Sequence, residues 1–173
     1  LVWGTVRRWA SAPAALIAGA VMATTPAAAL MFRFNNPEAL LALLITAAGY
    51  TTLRGVEDGR RRWAVATGAL LGFGFLTKQL QVILVVPAYG AAWLVAAPQR
   101  VGRRILDLAI GGAAIIGAAG WWVAVAELWP ADSRPFIGGS QNNSVLELTL
   151  GCNGLGRITG TATPAIDAIY AAT

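Results

Sequence analysis

The 173-residue sequence has no histidine and one cysteine, Cys152. The first absence excludes a histidine-ligated metal site and a Ser-His-Asp triad within the chain. The second excludes an intrachain disulfide. Without a histidine to activate it, Cys152 reads as a small residue rather than a nucleophile. Charge is scarce too. Only 12% of residues are charged, about half the roughly 25% usual in soluble domains. So little charge cannot cover a soluble surface, which argues against an ordinary soluble enzyme. The 57% apolar content rules out a disordered chain or a nucleic-acid arm. The class is polytopic membrane protein. No signal-peptide layout opens the chain. It starts at Leu1 rather than Met and stops at Thr173 inside an unfinished segment. The sequence is therefore expected to be a piece of a longer protein.

Five apolar stretches are present, at about Ala12–Met31, Ala39–Leu53, Trp63–Thr77, Leu80–Ala97 and Ile105–Leu128. A membrane-crossing helix needs roughly 20 residues. The second and third stretches are short and would span with the help of flanking residues or local thinning. Close spacing predicts a hairpin-connected bundle. Arg7 and Arg8, then Arg54 and Arg60–Arg62, then Arg100, Arg103 and Arg104 fall between alternate stretches. Alternating helices place all three groups on one side. By the positive-inside rule that side is cytoplasmic. Phe32–Glu38, Thr77–Gln79 and everything after Glu127 then lie outside.

Local signals fit this scheme. Ser11 and Pro13 suit the start of the first helix, and Pro37 the start of the second. Trp63 and Trp93 toward the inner ends, with Trp121, Trp122 and Trp129 toward the outer end, suit interfacial anchoring. Gly68 with Gly72, and Ala113 with Gly117, form small-residue pairs that permit close helix approach. After Pro130 the apolar runs stop. Ser144 and Glu147 resemble a capping box opening a short helix over about Val145–Leu150, ended by Gly151. A strand is the alternative there. Thr163–Pro164 is placed to open another helix. The glycines Gly151, Gly154, Gly156 and Gly160 lack the strand–helix context of a dinucleotide fingerprint and read as loop glycines. The organisation expected is a transmembrane bundle over 1–130 and the start of an extracytoplasmic loop region over 131–173.

The interiors of the apolar stretches lack ionisable residues, which weighs against a proton-coupled transporter. Polar residues gather instead at the outer ends. Arg33, Asn35, Asn36 and Glu38 lie in the first outer turn, and Lys78 and Gln79 in the second. Arg134, Gln141 and Asn142 lie in the large outer segment, which also carries Glu127 and Asp132. Arg and Lys suit a phosphate, and Asn and Glu suit sugar hydroxyls. These nine residues, from Arg33 to Asn142, are the candidate substrate-binding set. Helix termination at the interface is the competing role for each.

Four segments carry a family resemblance: RFNNPEALL (Arg33–Leu41), FLTKQLQ (Phe75–Gln81), WWVAVAELWPADSRPFIGGSQNNS (Trp121–Ser144) and LELTLGCNGLGR (Leu146–Arg157). In order along the chain, they resemble bacterial, especially actinobacterial, membrane glycosyltransferases of glycosyltransferase family 39 and its aminoarabinose-transferase-like relatives. The resemblance implies an all-α, polytopic bundle of GT-C type, here about five helices. It implies a polyprenyl-phosphate-linked sugar donor, an unidentified glycan, lipid or protein acceptor, and inverting transfer on the outer face of the cell membrane. It leaves a divalent metal optional. In such enzymes the main catalytic Asp follows the first transmembrane helix, and this chain aligns from the cytoplasmic loop before the third. No catalytic residue is therefore assigned here, and residues 1–173 alone are expected to be inactive. Relatives often carry an aspartate in the second outer turn. The corresponding stretch reads Asn35-Asn36-Pro37-Glu38, so Asn36 and Glu38 share that candidacy. Membrane lipids are the other expected partners, and nucleic acid is not. Half of a transporter or flippase for a lipid-linked substrate is the rival reading.

Overall fold

The computed structural model describes residues 1–34, 36–130, 133–137, 140 and 143–151. These are all-α, with no strand among the described residues. The helices are α1 (Val2–Trp9), α2 (Ala12–Thr24), α3 (Pro26–Met31), α4 (Glu38–Asp58), α5 (Arg61–Lys78), α6 (Val86–Ala96), α7 (Val101–Leu128) and α8 (Val145–Leu150). A 3₁₀ helix, Gln79–Val85, joins α5 to α6. The chain forms two compact units, Leu1–Ala118 and Ala119–Thr173, which divide inside α7.

Among the described residues, three helical runs are long and apolar enough to cross a membrane: Glu38–Asp58, Arg61–Ala96 and Val101–Leu128. The five apolar stretches do not map onto them one to one, for two reasons. The first stretch is two helices. Pro26 has no N–H to donate, and Thr25 before it is extended (φ −61°, ψ 116°), as a residue preceding proline favours. The 13-residue α2 is about 20 Å long, short of the roughly 30 Å of hydrocarbon. The run from Arg61 to Ala96, in contrast, contains a reversal. Gln79 adopts φ 46° and ψ −122°. Val82 then packs on Gly74, although eight residues of continuous helix would separate them by about 12 Å. The short Thr77–Gln79 turn is therefore real. The second and third stretches are extended at their ends by charged residues, reaching 21 residues in α4 and 18 in α5.

Consecutive helices α4, α5, α6 and α7 alternate in direction within the first unit, which leaves α5 and α7 parallel where they touch. Gly59, at φ 65°, closes α4 and turns the chain into α5, a conformation that glycine adopts without steric cost. Leu41, Ala48, Leu71 and Val82 form one buried cluster, and Ala64, Trp93 and Ala97 another. Trp93 is not an interfacial anchor. It is only 2% exposed, because Gly55 lacks a side chain and leaves the indole a flat seat; a Cβ at Gly55 would overlap the ring. Gly68 likewise lets α5 approach the backbone of α7 at Gly111. Gly117 has nothing within 4 Å of a built Cβ, so Gly111 is the small residue on α7 at the close approach. Between α4 and α5, Thr51 and Thr67 share a buried 2.7 Å hydrogen bond. Thr51 and Thr52 each donate to the Ala48 carbonyl, so Thr67 is the donor to Thr51.

The three arginine groups meet at one end of this unit. Arg8 at the end of α1 reaches Glu57 (2.7 and 2.8 Å). This bond holds the Arg8 guanidinium above its ordinary pKa. Trp63 donates to Asp58 at 2.9 Å while Arg54 and Arg62 lie over its ring. Asp107 is fully buried. It accepts from Arg61 at 2.8 Å and from Gln99 at 3.2 Å, and Gln99 also donates to the Gly59 carbonyl. Arg104 donates to the carbonyls of Leu94 (2.5 Å), Val95 (3.2 Å) and Gln99 (2.7 Å). Since α7 begins at Val101, Asp107 lies inside a helix. It is an ionisable residue within the apolar bundle that hydropathy assigns to a loop end.

Candidate functional site

The opposite end of the first unit holds the polar turns. Pro37 precedes the first residue of α4. The Asn36 side-chain carbonyl accepts from the Glu38 N–H at 3.2 Å, a local bond that seats the start of the helix. Lys78 is the last residue of α5. The α4–α5 hairpin brings the two helix ends together, and Lys78 forms an ion pair with Glu38. Their side chains are 35% and 24% exposed, so the pair is reachable from outside the bundle. Gln79 follows in a backbone conformation that costs a non-glycine residue on the order of 1–3 kcal/mol. Such strain persists where surrounding structure over-determines it, here the reversal from α5 into the 3₁₀ helix. Arg33 is exposed in the turn after α3, and its N–H donates to the Leu30 carbonyl at 3.2 Å. No ion pair holds its side chain among the described residues. Asn35 lies outside them.

Arg134 belongs to the second unit and is differently placed. Its terminal nitrogens donate to the carbonyls of Glu127 (2.6 Å), Trp129 (3.0 Å) and Asn143 (2.9 Å), and it pairs with the Glu127 carboxylate at 3.4 Å. With its side chain only 12% exposed, these bonds fasten the segment after α7 rather than present a fork to a ligand. Glu127 is the counterpart that hydropathy did not single out. Its carboxylate accepts from the Ser144 hydroxyl at 2.8 Å and the Leu146 N–H at 3.0 Å. Asn143, at φ 56°, accepts from the Ile137 N–H at 2.5 Å. The capping box is half formed. Ser144 accepts from the Glu147 N–H at 3.2 Å, while the Glu147 carboxylate accepts from Ser140, whose oxygen takes the Ser144 N–H. That segment is helix, not strand. Gln141, Asn142, Cys152 and Thr163–Pro164 lie outside the described residues.

The structure thus gathers Asn36, Glu38 and Lys78, with Gln79 beside them. What this set can do follows from its charge. The ammonium can meet a phosphate, and the carboxylate can hold that ammonium in place or accept a proton. No group of three or more Cys, Asp or Glu side chains able to hold a metal ion occurs among the described residues.

Residues 1–123 match the family model described as dolichyl-phosphate-mannose-protein mannosyltransferase. The chain belongs to this family. It is similar to two Bacillus subtilis proteins provisionally named mannosyltransferases, YkcB and YycA. It is 38% identical to YkcB over 147 residues, which is 85% of this chain and 20% of YkcB. It is 35% identical to YycA over 150 residues, which is 87% of this chain and 22% of YycA. The chain therefore spans about one-fifth of the length of these curated relatives. No solved structure matches it. Family membership and the apolar helices together show an all-α, multi-pass membrane segment of this family.

Proposed function

We propose that this chain supplies the donor-phosphate side of a membrane glycosyltransferase. The enzyme moves a sugar from a polyprenyl phosphate to a hydroxyl acceptor on the outer face of the membrane. The names of the relatives favour mannose. The observation that carries the reading is the Glu38–Lys78 ion pair, seated by Asn36, at the end of the bundle opposite the arginines. In the reaction the acceptor oxygen attacks the sugar C1 and the bond from C1 to the phosphate oxygen breaks. The acceptor proton passes to a carboxylate and the lipid phosphate departs with the bonding electrons. Lys78 stabilises the negative charge that develops on that phosphate, and Arg33 approaches from the neighbouring turn. Glu38 keeps Lys78 aimed before the donor arrives. The proton-accepting carboxylate is assigned outside residues 1–173, so this segment alone transfers no sugar. Family membership supports an enzyme over a transporter half.

The test is kinetic and uses the full-length enzyme. A charged hydrogen bond to phosphate is worth roughly 1.5–3 kcal/mol, or about 10- to 150-fold. Lys78→Ala and Lys78→Gln should each raise the donor KM or lower kcat by at least tenfold, with Arg33→Ala weaker. The exchanged pair Glu38→Lys with Lys78→Glu should restore folded yield without restoring donor kinetics. Unchanged kinetics in Lys78→Ala, Lys78→Gln and Arg33→Ala would refute the phosphate assignment.

A further inference from the structure

A cavity of about 460 Å³ lies among α4, α5, α6 and α7 in the first unit. That is within the roughly 300–1,000 Å³ typical of ligand pockets. Its walls are mainly apolar. On α5, Ala64, Gly68 and Leu71 line it, and on α7, Leu108, Gly111 and Ile115 do so. Both stripes follow helical spacing, and one turn nearer the helix start each continues into an arginine, Arg61 and Arg104. Asp107 and Trp93 line the cavity at this end. The Trp93 indole N–H is buried without a hydrogen-bond partner. None of the arginines lines the cavity, but this end of the unit carries nine of them (Arg7, Arg8, Arg54, Arg60–Arg62, Arg100, Arg103, Arg104) against three carboxylates (Glu57, Asp58, Asp107), with Arg61 bonded to Asp107 and Arg104 to the Leu94 carbonyl, both on its wall. Arg100 and Arg103 are exposed and have no ion pair among the described residues. Arg61, at the arginine end, sits about 25 Å along α5 from Lys78, so the proposed headgroup position is separate from the proposed sugar-transfer end, while Leu71 at the other end of the cavity is about 10 Å from Lys78.

We infer that this cavity is a binding site for an anionic phospholipid, its headgroup phosphate held by the arginine end and one acyl chain lying between α6 and the closely paired α5 and α7. An apolar slot at membrane depth suits a hydrocarbon chain, and the surplus of guanidinium groups at that end of the unit selects a headgroup with net negative charge. A zwitterionic phospholipid offers the same chains without that charge. A free phosphate offers the charge without the chain. The two halves of the site therefore make separable demands on the ligand.

The experiment uses delipidated full-length protein and native mass spectrometry. The probes are phosphatidylglycerol, phosphatidylcholine with the same chains, and glycerol phosphate. Phosphatidylglycerol should be retained at least tenfold better than phosphatidylcholine, and glycerol phosphate should not be retained. Replacing both exposed arginines (Arg100→Gln with Arg103→Gln) should reduce phosphatidylglycerol binding by about 25-fold, since each arginine near a surface contributes roughly fivefold. Gly90 and Gly112 both line the cavity, and a Cβ at either has nothing within 4 Å. Gly90→Leu and Gly112→Leu should therefore fill the slot without a backbone clash and cut retention while leaving the arginines in place. Two variants on different helices guard against one that fails to fold. Equal retention of the two phospholipids would overturn the proposal. So would wild-type retention in both cavity-filling variants, which would reduce the effect to surface attraction. Displacement of phosphatidylglycerol by polyprenyl phosphate at equal concentration would also overturn it, reassigning the slot to the sugar-carrier lipid.

Discussion

Replacing Gly68 by alanine tests the packing most directly. A Cβ at this position overlaps the carbonyl oxygen of Gly111 and lies 2.9 Å from the Ala114 Cβ. The obstacle is backbone, which has no rotamer to move aside. The helices must part by about 1 Å, and a gap of that order forfeits a quarter to a half of each contact's dispersion well. Overpacking of this kind costs roughly 1–3 kcal/mol. Opposing it is the helix propensity gained on replacing glycine, at most about 1 kcal/mol. A net loss of about 1–2 kcal/mol is therefore expected. Gly112→Ala is the matched control. It lies one residue from Gly111, and a Cβ there meets nothing within 4 Å, so it should be neutral or slightly stabilising. The assay is the midpoint of heat-induced loss of the monodisperse peak in detergent, for the full-length protein and each variant. If Gly68→Ala matches or exceeds the wild type while Gly112→Ala behaves as expected, α5 and α7 do not touch through Gly68.

Three further outcomes follow from the geometry. Asp107→Ala leaves Arg61 without its partner; because the Arg61 side chain is 45% exposed, the loss should be about 1–3 kcal/mol, below the 3–5 typical of fully buried pairs, and a double-mutant cycle with Arg61→Leu should show the coupling. Thr67→Val removes the donor to Thr51 and should cost about 0.6 kcal/mol, the mean for interhelical hydrogen bonds in membranes, read from the same thermal midpoint. With Cys152 replaced by serine, single cysteines at Phe34 and Arg60, 70% exposed and exposed respectively, should react with an impermeant thiol reagent from opposite faces of a sealed membrane. Labelling of both from one face would end the alternating arrangement.

The hairpin order was legible because two simple signals agreed. Arginines fell between alternate apolar stretches, and Pro37 and Ser11 stood where helices begin. The break at Pro26 was equally visible as a residue, but composition alone read Ala12–Met31 as one span. Hydropathy misled at Asp107 and Trp93 for a shared reason: each lies near a helix end in sequence, and only the packing of three helices decides that both are buried. For the candidate site, helix ends joined by a short hairpin made the meeting of Glu38 and Lys78 foreseeable. The fate of Arg134 was not, because its partners are mostly backbone carbonyls, and their positions depend on how the chain folds after Pro130. The backbone strain at Gln79 carries no sequence mark at all.

Among the described residues the two ends of the first unit are fastened unequally. Arg8–Glu57, Arg61–Asp107, Gln99 to Gly59 and Arg104 to three carbonyls tie α1, α4, α5, α6 and α7 at one end. A single ion pair, Glu38–Lys78, links α4 to α5 at the other. Mechanically the bundle is a set of rods clamped at one base. Loads that spread the rods are resisted at the clamp and relieved at the free tips. Rupture of the ion pair leaves α4 and α5 held there by the apolar contacts of Leu41, Leu71 and Val82. The Glu38–Lys78 pair is therefore the charged fastening at an end otherwise held by apolar contacts.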